Sequence, residues 1–185
     1  MIAFVGLGNT GDIYANTKHN VGFWAIDEFS NRNNVSFKAG KGDYVFSKTR
    51  GNRALLVKPT TMMNRSGSAV KDVMHRWGLL PSDVIIIFDD VDLPLGSIRI
   101  RPKGGDGCHG GLKNIIDQAQ TSLLPRIRLG IAESSAITRP SEKYVLRPFN
   151  KDSFEEVGAM VRQCADAMQY LITHGLSRTM NEFNS

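Results

Sequence analysis

Apolar and polar positions alternate along this chain with two periods, and the periods divide it into strands and helices. Ile2–Val5 is a short apolar run closed by Gly6-Leu7-Gly8, the pattern of a strand running into a tight loop. Val21, Trp24, Ala25, Ile26 and Phe29 then recur at helical spacing, with Asn20 placed to cap the helix. Tyr44–Thr49 and Ala54–Lys58 read as a hairpin turning at Arg50-Gly51-Asn52-Arg53. From Ser66 to Trp77 a second amphipathic helix carries Val70, Val73, Met74 and Trp77 on one face and ends at Gly78. Val84–Phe88 is a continuous apolar run, as expected of a strand covered on both faces. The acidic run Asp89-Asp90-Val91-Asp92 follows it, with a turn sequence over 92–96.

Beyond that run, the pattern predicts a strand over Ser97–Arg101, a glycine-rich loop over 104–111, a helix over Leu112–Ala119 and a strand over Arg126–Ile131. Ser153-Phe154-Glu155-Glu156 has the form of a capping box. Its helix bears Phe154, Val157, Val161, Cys164, Met168, Leu171 and Ile172 at steps of three and four, and stops at His174-Gly175. A short helix can follow. Strands and helices alternate without a repeat or a linker. This predicts a single domain over 1–185, an α/β sandwich with a mixed, largely parallel sheet and helices on both faces.

Composition narrows the class. With 41% hydrophobic and 22% charged residues among 185, the chain is ordinary globular protein rather than disordered or low-complexity sequence. Its longest apolar runs fall far short of the ~20 residues a membrane helix needs, and the N-terminus has no signal-peptide pattern. Cys108 and Cys164 read as free thiols of a reducing cytoplasm. A net charge of +5 is compatible with a polyanionic partner without demanding one.

Gly6-Leu7-Gly8-Asn9-Thr10-Gly11 fits the dinucleotide pattern G-x-G-x-x-G, but its context does not. That motif needs a helix starting inside the glycines, where its N-terminus meets the pyrophosphate. Here residues 12–20 are polar and aperiodic. Of the four histidines, His75 reads as exposed and His174 suits the negative end of its helix. His109 lies in the glycine-rich loop, open to a structural or a substrate-facing role. His19 follows the first strand in a polar loop, where open α/β sheets place ligands. The residue alone leaves a structural and a catalytic histidine both open. Asp89, Asp90 and Asp92 could serve a turn, a magnesium ion or the orientation of a histidine.

The segments Gly6-Leu7-Gly8-Asn9, Gly11, Tyr14-Ala15 and Thr17-Lys18-His19-Asn20-Val21-Gly22 together resemble the N-terminal signature of the bacterial-type peptidyl-tRNA hydrolase family. Lys58-Pro59-Thr60-Thr61-Met62-Met63-Asn64-Arg65-Ser66-Gly67 resembles its second block. Asp89-Asp90-Val91-Asp92-Leu93-Pro94-Leu95-Gly96, with the glycine-rich loop and His109, resembles its third. The resemblance implies an enzyme that hydrolyses the ester between a peptide and the 3′-terminal ribose of tRNA, without metal or organic cofactor, as a cytoplasmic monomer. It implies His19 as base and Asp89 as its orienting carboxylate. Asn9, Tyr14, Met63, Asn64, His109 and Gly110 would hold the substrate, and Arg101 and Arg128 the tRNA phosphate. The residue types suit the roles: a positioned imidazole is typically worth ~10²–10⁴ in rate, amide donors stabilise an oxyanion, and arginine grips phosphate bidentately.

The sequence departs from the family pattern at Thr10, Lys18 and Met62, which preserve the general character of their positions, and at Gly110. The family's asparagine is missing there. The expectation is weakened or rearranged substrate binding that Gly110→Asn should improve. The alternative is an RNA-binding relative with reduced or no turnover; His19, Asp89, Asn9 and Asn64 together favour the enzyme.

Overall fold

The computed structural model describes residues 1–133 and 142–184. Seven strands form one sheet: β1 (Ile2–Gly6), β2 (Lys38–Ala39), β3 (Tyr44–Lys48), β4 (Ala54–Pro59), β5 (Val84–Pro94), β6 (Ile98–Arg101) and β7 (Arg126–Ala132). The helices are α1 (Val21–Arg32), α2 (Ser66–Trp77), α3 (Gly110–Ala119), α4 (Glu142–Val145), α5 (Phe154–His174) and α6 (Leu176–Phe183). The strand order is β2-β3-β4-β1-β5-β7-β6. The four central strands run parallel, and the antiparallel pairs β2/β3, β3/β4 and β6/β7 close the two edges. The α/β sandwich with a mixed sheet is therefore observed.

Alternation along the strands divides the core in two. Phe4, Leu56, Ile85 and Ile87 pack with Val21, Ala25, Ile26 and Phe29 of α1 and with Met160, Cys164 and Met168 of α5. Ala3, Val5, Leu55, Val57 and Ile86 pack on the other side with Val70 and Val73 of α2 and Leu112 and Ile115 of α3. Each such aliphatic side chain contributes about 1.5–3 kcal/mol by leaving water. No disulfide joins exposed Cys108 to buried Cys164.

The glycines of the first loop serve close packing. A β-carbon on Gly6 would lie 2.4 Å from the Gly22 carbonyl oxygen, and one on Gly22 would lie 2.5 Å from that of Ile87. The end of β1 and the start of α1 thus touch through backbone. Two 3-10 turns, Asp12–Tyr14 and Lys18–Asn20, occupy the place where a dinucleotide-binding helix would begin.

Four local readings change. Asn20 does not cap α1 with its side chain, and Ser153 does not cap α5. Both side chains are held elsewhere: Asn20 by the Asn9 backbone and Ser153 Oγ by Glu133 Oε1 at 2.9 Å. Phe154, assigned to the buried stripe of its helix, is 49% exposed. The acidic run lies within β5, because Asp89 and Asp90 pair with Leu129 and Gly130 of β7; the turn comes after Pro94, at Gly96.

Candidate active site

β1 and β5 lie side by side and parallel, so their carboxyl ends open on the same edge of the sheet. The Lys18–Asn20 turn just before α1 brings His19 over that edge, and β5 brings Asp89 to it. Asp89 continues the side-chain parity of Ile85 and Ile87, facing the α1 layer from which His19 descends. His19 Nδ1–H donates to Asp89 Oδ1 at 2.8 Å. His109 Nε2–H donates to the same oxygen at 3.1 Å. The carboxylate side chain is only 1% exposed. Burial alone would raise its pKa, but the charges and hydrogen bonds of His109 and His19 outweigh burial and hold it far below the usual carboxylate range.

This arrangement fixes both tautomers. The Leu112 N–H donates to His109 Nδ1 at 3.2 Å, capping α3, so the ring proton of His109 sits on Nε2. Both nitrogens of His109 are committed, one to the helix and one to Asp89. Its imidazole nitrogens orient Asp89 and α3, while the residue itself lines the cavity. His19, with Nδ1–H held by Asp89, keeps its Nε2 lone pair free of partners among the described residues.

Among the described residues, His19, Asp89 and His109 form the one group whose ligand atoms lie within 4.8 Å of one another, close enough to share a metal ion. The chemistry of the set does not fit one. A ligating His109 Nε2 would need its lone pair, which requires a proton on Nδ1 facing the Leu112 N–H.

Asn9 is set with similar care. The Met63 N–H donates to Asn9 Oδ1 at 2.6 Å, which turns the Nδ2 donor away from that backbone. Asn20 clamps the Asn9 main chain from both sides: Asn9 N–H donates to Asn20 Oδ1 at 2.8 Å, and Asn20 Nδ2 donates to the Asn9 carbonyl at 2.9 Å. Asn20 is thus a positioning residue that local helix-cap chemistry had concealed.

All ten residues singled out from the sequence line one cavity of about 760 Å³: Asn9, Tyr14, His19, Met63, Asn64, Asp89, Arg101, His109, Gly110 and Arg128. Its basic end adds Lys103 and Arg126, neither read from sequence. Arg126 is 3% exposed and spends its guanidinium on the carbonyls of Leu124, Gly105 and Ser122, pinning the glycine-rich loop. Burial, and then the neighbouring charge of Arg128, lower its pKa. The two-residue spacing from Arg128 on one strand face is the signal that could have found it. Arg128 Nε donates to Asp90 Oδ2 at 2.5 Å, which leaves the two terminal nitrogens for another acceptor. Among the described residues, Arg101 Nη1 reaches only the Ile100 carbonyl, at 3.2 Å.

The other wall rests on a buried ion pair. Lys18 Nζ, beside His19, lies 2.9 Å from Glu133 Oε2 and donates to the Pro148 carbonyl at 2.6 Å. Glu133 Oε1 accepts from Asn150 N–H and Ser153 Oγ, both at 2.9 Å. These bonds anchor the His19 turn to the segment after α4, and Val145 at the end of α4 and Leu146 just beyond it line the cavity.

Known proteins match this chain throughout. The family model described as "Peptidyl-tRNA hydrolase" matches residues 3–185. A Geobacillus thermodenitrificans protein named peptidyl-tRNA hydrolase is 42% identical over 186 residues, covering all of both chains. One of the same name from Enterococcus faecalis is 41% identical, over all of this chain and 99% of its own. A solved structure of peptidyl-tRNA hydrolase from Acinetobacter baumannii superposes with a TM-score of 0.91 at 26% identity, covering all of this chain and 95% of that one.

Proposed function

The chain belongs to the peptidyl-tRNA hydrolase family, and on that premise we propose how its cleft performs the reaction. It is an ester hydrolase that cleaves the bond between peptide and tRNA and releases both. The observation that carries the residue-level reading is the His19–Asp89 bond at 2.8 Å in a cleft that also holds Asn9 and Asn64.

Water is the nucleophile. His19 Nε2 takes a proton from it as its oxygen adds to the ester carbonyl carbon, and Asp89 stabilises the imidazolium that forms. The carbonyl π pair becomes the charge of a tetrahedral oxyanion, which the Nδ2 donor of Asn9 meets. When the intermediate collapses, the carbon–oxygen bond to the ribose breaks. The departing 3′-oxygen of the tRNA takes the proton back from His19, and the peptide leaves as a carboxylic acid that gives its remaining proton to solvent. The scheme needs only protein groups and water. Asn64, Tyr14 and Met63 line the acyl side; Arg101 and Arg128 hold the tRNA phosphate at the other.

The alternative of an RNA binder without turnover is disfavoured, because a binding surface has no use for an imidazole held by a buried carboxylate. The proposed site residues line one cavity at the edge of one continuous sheet, which supports a single domain over 1–185. No helix among the described residues is long and apolar enough to cross a membrane. The cytoplasm is the compartment proposed, since the tRNA substrate is there.

The test is release of labelled acyl group from N-acetylated aminoacyl-tRNA, together with the salt dependence of tRNA binding. Wild type should turn over. Arg101→Ala and Arg128→Ala should each reduce the slope of log Kobs against log salt by roughly 0.7–0.9, one phosphate's share. An unchanged slope would remove that arginine from the phosphate site.

A further inference from the structure

β6 lies at the edge of the sheet, and an edge strand leaves the backbone groups of every second residue without a partner strand. Ser97 turns its carbonyl inward, to the Gly130 N–H of β7 at 2.8 Å, so Ile98 and Ile100 turn theirs outward. At Ile100 the missing partner is a side chain. Asn184, the residue after α6, accepts from the Ile100 N–H through Oδ1 at 2.7 Å. Its Nδ2 donates to the Ile100 carbonyl at 2.9 Å. One carboxamide thus stands where a further strand would pair. α6 keeps it there: Leu176, Met180 and Phe183 pack on the core, and Phe183 meets Tyr170 edge-on with ring centroids 5.8 Å apart.

The clamped strand carries the cations of the cleft's basic end. Arg99 and Arg101 stand directly opposite Arg128 and Arg126 of β7, so four like charges share one face of two strands and repel. Arg101, Arg126 and Arg128 line the cleft, and Arg99 does not. Arg99 Nη1 donates instead to the Asn184 main-chain carbonyl at 2.7 Å. Arg101 Nη1 shares the Ile100 carbonyl with Asn184 Nδ2. Asn184 therefore holds the strand on both sides of Ile100. It draws Arg99 toward the end of α6 and orders the backbone from which Arg101 extends.

We propose that Asn184 is a positioning residue for the phosphate end of the cleft: it fixes β6 and sets Arg99 aside, so that Arg101 is presented to the tRNA. The inference rests on the reading of Arg101 as a phosphate ligand. Asn184 does not itself line the cleft, so it acts through Arg101. Its influence falls on affinity and not on the chemistry at His19.

The experiment is a double-mutant cycle over Asn184→Ala and Arg101→Ala. Three quantities are measured: tRNA binding across a range of salt, kcat and KM for N-acetylated aminoacyl-tRNA, and hydrogen exchange of the Ile100 amide. Asn184→Ala is expected to raise Kd and KM about fivefold, the size of one lost polar contact, with kcat within about twofold of wild type. The slope of log Kobs against log salt should fall by part of the roughly 0.7–0.9 that one phosphate contributes. In the Arg101→Ala background the same substitution should change Kd by less than about twofold. The Ile100 amide should exchange about tenfold faster in Asn184→Ala.

Equal losses of affinity from Asn184→Ala in both backgrounds would overturn the proposal, as would a loss carried by kcat alone. Unchanged exchange at Ile100 would show that the amide does not hold the strand, and would overturn it too. If Arg101→Ala binds tRNA as tightly as wild type, the phosphate reading falls and takes the role of the clamp with it. The Ile100 exchange rate reports separately whether the clamp itself exists.

Discussion

Asp89→Asn is expected to lower kcat by roughly 10³–10⁴-fold, while KM changes little. Asp89 Oδ1 accepts from two imidazoles at once, at 2.8 and 3.1 Å. An asparagine can keep its oxygen toward both donors, but a neutral amide does not stabilise the imidazolium that His19 becomes. If the amide turns, its NH₂ faces His19 Nδ1 and forces the ring proton onto Nε2, the atom that must accept from water. Either outcome disables the base without touching the substrate. The same change has a signature in stability. The folded-state pKa of Asp89 is depressed, so its contribution to stability is fully present above the unfolded value of ~3.9 and is lost as the pH falls through the lower folded value. The gap in stability between wild type and Asp89→Asn should therefore narrow below about pH 4. A gap independent of pH in that window would show that the ionised carboxylate does not contribute.

Glu133→Gln is expected to cost about 3 kcal/mol, because it leaves the Lys18 ammonium buried without its counter-charge. The Lys18 side chain is 3% exposed, and its remaining company would be the Pro148 carbonyl and the faces of Tyr144 and Phe149. For a chain of this length the loss corresponds to a fall in melting temperature of about 6–12 °C. Lys18→Met together with Glu133→Gln should recover part of it, since an uncharged pair carries no desolvation penalty. Thermal melts of wild type and the two variants check this. A single variant as stable as wild type would mean that the pair does not anchor the His19 turn.

The sequence was informative where structure depends on near neighbours. The period of Val70, Val73 and Met74 with Gly78 behind them predicted α2 to its boundaries, and the unbroken Val84–Phe88 run predicted a strand buried on both faces. It misled where a side chain has a distant partner. Asn20 and Ser153 have the chemistry of helix caps, yet their partners are Asn9, 11 residues away, and Glu133, 20 residues away. The end of β5 could not be read locally either, because β7 extends the ladder through the acidic run.

At the site, residue types and the family resemblance gathered ten residues that the fold brings into one cleft. Their mutual arrangement was not legible. That His109 shares Asp89 with His19 depends on the route of the glycine-rich loop, which Arg126 holds from β7. Arg126 is marked in sequence only by its two-residue spacing from Arg128, and its burial is what shows it to be structural. Gly110 shows the same limit, since the sequence does not tell that Asn64 Oδ1 lies close to where its β-carbon would be.

The central claim is that His19 removes the proton from the attacking water. The most direct measurement is single-turnover release of the acyl group from saturating N-acetylated aminoacyl-tRNA by wild type and His19→Ala, with tRNA binding measured alongside. The account requires the rate to fall by about 10²–10⁴-fold while binding is unchanged. Equal rates for the two proteins would contradict it.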